Sequence, residues 1–146
     1  MMAMPGKNPY DKYKQTEINT ANQGTLIVML YDGAIKFLNI ALENLASTKT
    51  YDVANTNILK TQDILTELML SINLNEKNEI AQNLFNLYMY FKKRLLEANI
   101  QKNPDIIKEV IRLLKELRDA WDKIAAKETR PDRTGADAKG SFSIEG

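Results

Sequence analysis

The chain has 146 residues, enough for one domain with a substantial core, and its 20 Lys and Arg nearly balance its 19 Asp and Glu. A net charge of +1 carries no electrostatic footprint for nucleic acid or for an acidic membrane. Without cysteine or histidine there is no disulfide framework, thiol nucleophile or zinc–thiolate site, and neither the usual general base nor the Glu-x-x-His pairs of a di-iron bundle.

Residues 1–7 and 129–146 have the composition of disordered termini, and residues 8–128 read as one domain. Between Thr25 and Lys127 there is one glycine, Gly33, and one proline, Pro104, so this stretch is expected to be helical throughout. Asn8-Pro9 reads as an N-cap with proline at the first helical position, opening a short helix "YDKYKQ". The polar and β-branched "TEINTAN" after it reads as an extended link, so residues 8–21 form an N-terminal cap segment. A first long helix is expected from Asn22 to Ser47, a second from Tyr51 to Asn73 and a third from Lys77 to Ile100. Asn103-Pro104-Asp105 is the clearest start signal: cap, proline, then an acid near the positive end of the helix dipole. It opens a fourth helix, Pro104 to Lys127. Long helices joined by short loops predict an all-α, antiparallel up-down four-helix bundle. No apolar run reaches the roughly 18 residues of a membrane span and no signal peptide is visible, so a cytoplasmic protein without membrane insertion is expected.

Placing residues about 100° apart gives each helix a wheel. On the fourth, Ile106, Ile107, Val110, Ile111, Leu113, Leu114, Leu117, Trp121 and Ile124 form one stripe, with Lys108, Arg112, Lys115, Glu116 and Asp119 opposite. On the third, the stripe runs Ile80, Leu84, Phe85, Leu87, Tyr88, Phe91, Leu95, and Tyr90 falls outside it. On the second, Ile58, Ile64, Leu65, Leu68, Met69 and Ile72 face in, while Leu59 and Leu70 share the opposite side, close in azimuth. The first helix differs: its apolar residues cover about two-thirds of the circumference, and Asp32, Lys36, Asn39 and Glu43 fill a narrow polar strip. Two explanations stand open. This helix is the most central one or is covered by the N-terminal segment, or part of its face is a groove for a partner helix. Ile27, Leu30, Tyr31, Ile35 and Leu38 are the candidate groove residues, with Tyr31 at the margin of the arc; Gly33 is expected to point into the apolar face.

The carboxylates are scattered over polar faces, and no phosphate loop, EF-hand or Cys/His metal pattern occurs, so neither catalysis nor a cofactor is expected. Tyr10 and Tyr13 lie three apart and share a face. They are either ordinary edge packing or a docked plug, since one or two helical turns are not stable alone in water.

"NPYDKYKQTEINTANQGTLIVMLYDGAIKFLNIAL" resembles the start of the FliS flagellar export chaperones, through Asn8, Pro9, Tyr10, Tyr13, Thr20, Ala21 and the run Met29-Leu30-Tyr31-Asp32-Gly33-Ala34-Ile35. The resemblance continues in "KTQDILTEL", "IAQNLFNLYMYFKKRLLEAN" and "LLKELRDAW", and spans about residues 8–125. Gln23-Gly24-Thr25 departs from it, where the family usually has a proline and then a glutamate, which bears on how the first helix is capped. The resemblance implies a four-helix bundle in the cytoplasm that binds the disordered C-terminal segment of flagellin. Such a protein holds flagellin from polymerising early and helps deliver it to the flagellar type III export gate. It also implies that the N-terminal segment, with Asn8, Pro9, Tyr10 and Tyr13, covers part of the flagellin-binding surface in the free protein. The rival is a helical-bundle adaptor or secretion regulator that binds another amphipathic segment.

Overall fold

Polar caps, rather than glycines, set the ends of the helices. The structure is a computed structural model that describes residues 23–74 and 78–128. The predicted cap segment with Asn8, Pro9, Tyr10 and Tyr13, and the tail 129–146, lie outside the described residues. Within them the chain is all-α, without a strand, and is built as a helical bundle from α1 (Gln23–Glu43), α2 (Tyr51–Leu70), α3 (Glu79–Gln101) and α4 (Pro104–Glu128), with a 3₁₀ turn at Thr48–Thr50.

Each boundary has a local cause. The first helix stops at Glu43, short of the expected Ser47, because Asn44 turns the chain: its side-chain amide donates to the Ile40 carbonyl at 2.8 Å and its backbone N–H to Ala41 at 3.0 Å. Thr50 Oγ1 then donates to the Asn44 carbonyl at 3.0 Å, and Ser47 Oγ accepts from the Lys49 N–H at 3.2 Å, which folds the connection. The second helix stops at Leu70, short of Asn73, as Ser71 Oγ donates to the Leu68 carbonyl at 2.7 Å. Asn78 caps α3 by accepting from the Ile80 and Ala81 N–H groups at 2.9 and 3.3 Å. At the other end of α3, Lys102 takes the left-handed conformation (φ 52°) that glycine normally supplies. Two contacts offset its strain: Lys102 Nζ donates to Asn99 Oδ1 at 2.6 Å and stands 5.5 Å from the centre of the Tyr51 ring. The fourth helix begins as the sequence predicts, with Asn103 Oδ1 accepting from the Asp105 N–H at 2.9 Å.

The chain sorts into two compact units, Leu30–Arg118 and the end segments Met1–Met29 with Asp119–Gly146. The described part of the end unit contributes buried Gly24, Ile27, Val28 and Ala125 and half-buried Trp121 and Ile124. In the larger unit the core is Leu30, Tyr31, Ala34, Leu38 and Ala41 of α1, the inward face of α2 centred on Ile58, Leu65 and Leu68, Tyr88, Phe91, Leu95 and Ala98 of α3, and Ile107, Val110 and Leu114 of α4. Burying each large side chain of that set contributes about 1.5–3 kcal/mol. Two polar residues inside it satisfy themselves on their own helix: Thr61 Oγ1 donates to the Asn57 carbonyl at 3.0 Å and the Asn57 amide to Val53 at 2.9 Å.

One expectation is corrected and two are made more exact. Ile80 is 76% exposed rather than part of the inward stripe of α3; it lies in the first turn, just past the Asn78 cap. Gly33 is half-buried in regular right-handed helix, on the flank of the apolar arc beside Leu26, Met29, Phe37 and Ile40 and about 110° from the middle of the buried face. Although no uninterrupted apolar run reaches the length of a span, an 18-residue stretch of α1 has a mean hydropathy of 1.5, so the helix is apolar enough by length and composition to cross a membrane. Part of its apolar face, Leu30, Tyr31, Ala34, Leu38 and Ala41, is instead buried in the core of the larger unit, and Asp32 on its polar strip accepts from Arg118 Nε of α4 at 2.8 Å.

Candidate partner-binding surface

Four of the five α1 residues singled out from the sequence are buried in this structure. Tyr31 and Leu38 are wholly inaccessible, Leu30 and, in the end unit, Ile27 are buried, and Ile35 is half-buried. Tyr31, expected at the margin of the apolar arc, turns its hydroxyl inward to the Tyr88 hydroxyl of α3 at 2.6 Å, with the two rings 6.3 Å apart and tilted by 53°. Burial pushes the Tyr88 hydroxyl up to about 12, an effect the Tyr31 hydrogen bond partly opposes. Partner contact at this face requires it to be uncovered.

The open apolar surface lies elsewhere, between α2 and α3. Leu59 and Leu70 stand on the outward side of α2, opposite the buried face of Ile58, Leu65 and Leu68. On α3, Met89, Leu96 and Ile100 fall within about 40° of one another by helical geometry. These five side chains are exposed to between 51% (Met89) and 76% (Leu70). Three hydrogen bonds tie the helices edge to edge: Asn99 Nδ2 to Asn55 Oδ1 at 2.6 Å, Gln62 Nε2 to the Lys92 carbonyl at 3.0 Å and Lys92 Nζ to Thr66 Oγ1 at 2.6 Å. Those pairs fix an antiparallel register that brings Leu59 level with Leu96 and Leu70 level with half-buried Phe85. The result is a strip with leucines on both walls and a polar floor. From Met89 to Ile100 it runs about 16 Å, three turns of a docked helix.

The opposite edge of α3 is closed by polar contacts. Arg94 pairs with Glu97 at 2.7 Å and with Glu109 of α4 at 3.2 Å, and Tyr90 reaches Glu109 at 3.4 Å. These carboxylates hold the Arg94 guanidinium even more firmly protonated than usual. The strip is therefore the apolar edge of α3, and the α4 side is the charged one. Among the described residues no cluster of three or more acids gathers as a metal site.

Leu59 and Leu70 are visible in the sequence as a pair on the wrong side of the second helix. Met89, Leu96 and Ile100 are not read there as a surface, although their spacing of seven and eleven residues is that of a helical stripe.

A profile of the family described as "Flagellar protein FliS" matches residues 6–128. The flagellar secretion chaperone FliS of Bacillus subtilis (strain 168) is 35% identical over 130 residues, which cover 89% of this chain and 95% of that protein. The flagellar secretion chaperone FliS of Escherichia coli (strain K12) is 28% identical over 123 residues, 83% of this chain and 90% of that protein. The flagellar secretion chaperone FliS of Campylobacter jejuni (serotype O:6, strain 81116) is 31% identical over 124 residues, 82% and 93% respectively. This is a family of chaperones, not of enzymes. A helical bundle with an open apolar strip, matched nearly end to end by these proteins, belongs to the FliS family of flagellar secretion chaperones.

Proposed function

We propose that this protein is a cytoplasmic export chaperone for flagellin. It binds the unfolded C-terminal segment of flagellin, keeps it from polymerising early and assists its delivery to the flagellar type III export gate. The observation that carries this reading, beside the family, is the α2–α3 strip: five large apolar side chains, each at least half exposed, along two antiparallel helices, with Leu59 and Leu96 level across it. A soluble protein gains nothing from that surface in isolation, and a partner helix with one apolar face covers it. Each Å² of apolar area removed from water contributes about 25 cal/mol, less the entropy of ordering the segment. Binding of that kind can be tight and still reversible, as export requires.

In this reading the strip is the landing surface and α1 is a second one. The segment 8–21, with Tyr10 and Tyr13, covers part of the binding surface in the free protein and leaves when flagellin arrives. Only then do Ile27, Leu30, Tyr31, Ile35 and Leu38 come within reach of a partner. Titrating a peptide of the flagellin C-terminus against the full chain tests the central claim by calorimetry. Binding at micromolar concentration or tighter is expected, and its absence sinks the proposal.

A further inference from the structure

Between Met89 and Leu96 of the strip sits a charge with no described residue of opposite sign paired to it. Lys92 of α3 is half-buried, and its ammonium donates to Thr66 Oγ1 at 2.6 Å. Among the described residues no carboxylate stands within ion-pair distance of it. Thr66 Oγ1 donates its own hydrogen bond to the Gln62 carbonyl at 3.1 Å, so the lysine meets only a neutral oxygen. Beside it, Gln62 Oε1 is buried with no hydrogen-bond partner. In the free protein water serves the remaining two N–H donors of Lys92. A helix lying along the strip excludes that water, with Met89 and Leu96 on either side of the lysine. An ammonium left there with one neutral acceptor and no counter-charge opposes docking.

We infer that the occupant of the strip carries a carboxylate in the middle of its apolar face, and that Lys92 is the residue that selects it. This rests on the strip being the flagellin-binding surface. Met89 and Leu96 are seven residues apart, about 10 Å along the helix. The occupant is therefore an amphipathic helix with apolar anchors seven residues apart and an Asp or Glu three or four residues after the first. The acid sits toward α3: Lys93 adds a second positive charge on that rim, while Asp63 on the α2 rim repels it. An anchor pair without the acid leaves Lys92 dry and unpaired, and a lysine in its place adds like-charge repulsion. The strip thereby discriminates among amphipathic helices that match its apolar spacing equally well.

The test is a double-mutant cycle by calorimetry on the full chain. One side is Lys92→Met, which keeps the stem and removes the charge. The other is the flagellin C-terminal peptide with each of its acids changed singly to alanine. One peptide acid is expected to be coupled to Lys92: its loss weakens binding about tenfold on the natural protein and not at all on Lys92→Met. Lys92→Arg keeps the discrimination, and the urea midpoint of Lys92→Met shows that the fold persists. If the unaltered peptide binds but no acid is coupled to Lys92, this inference falls and the chaperone reading stands. If the unaltered peptide does not bind, both fall.

Discussion

Truncating the two leucines that face each other across the strip, Leu59→Ala with Leu96→Ala, separates binding from stability. In the free protein they are 52% and 55% exposed, so about half of each side chain is left for a partner to cover. Leucine to alanine removes three carbons, worth about 2.4 kcal/mol when wholly transferred from water. Half of that is about 1.2 kcal/mol per site, or about 2.4 kcal/mol for the pair, roughly fiftyfold in Kd. The fold itself is expected to change by less than about 0.5 kcal/mol per site, because neither residue lies in the core. Calorimetry with the flagellin C-terminal peptide reads the first quantity and urea unfolding the second. Leu38→Ala gives the contrast: a wholly buried leucine costs about 2.7–5 kcal/mol of stability. If the double variant binds within about threefold of the parent at an unchanged urea midpoint, the strip is not the binding surface.

Other outcomes follow from the core and from the cap. Tyr31→Phe takes from the Tyr88 hydroxyl its hydrogen bond inside the core and is expected to cost about 1–3 kcal/mol in urea unfolding; adding Tyr88→Phe recovers part of it. Tyr88 also gives the protein an alkaline limit. Its hydroxyl is raised from 10.0 to about 12 on folding, so the folded chain holds a proton that the unfolded chain releases. Its contribution, on the order of 3 kcal/mol, is fully present below pH 10 and is lost as pH rises through 12. Urea midpoints measured across that range show the fall, and Tyr88→Phe flattens it. Tyr10→Ala with Tyr13→Ala is expected to tighten peptide binding if the segment competes for the surface; weaker binding means that those rings contact flagellin directly.

Legibility in the sequence tracked how local each cause was. The start of α4 was readable because Asn103, Pro104 and Asp105 do the whole job within three residues. The polar strip of α1 was readable too, and Asp32, Lys36, Asn39 and Glu43 are all exposed. Which part of its wide apolar arc would be core was not readable. An apolar arc says that a face avoids water, and only the neighbouring helices decide which portion is sealed. Tyr31 was assigned to the margin for that reason: its partner Tyr88 is fifty-seven residues away and leaves no local mark. Ile80 misled in the opposite sense, since its azimuth fits the inward stripe but it sits at the end of the helix. Lys102 was unreadable because left-handed caps are marked by glycine, and here contacts with Asn99 and Tyr51 take its place. Half the strip was in view as Leu59 and Leu70; the other half needed the α2–α3 register.

The sole tryptophan, Trp121, belongs to the unit made by the two ends of the chain, whereas the strip lies wholly within Leu30–Arg118. The protein therefore carries one intrinsic optical reporter, on a residue that takes no part in the strip. Heat reports that a peptide has arrived, wherever it settles. Indole emission reports only what reaches the end unit. Reading both in the same titration then separates loading that stays on the strip from loading that extends beyond it.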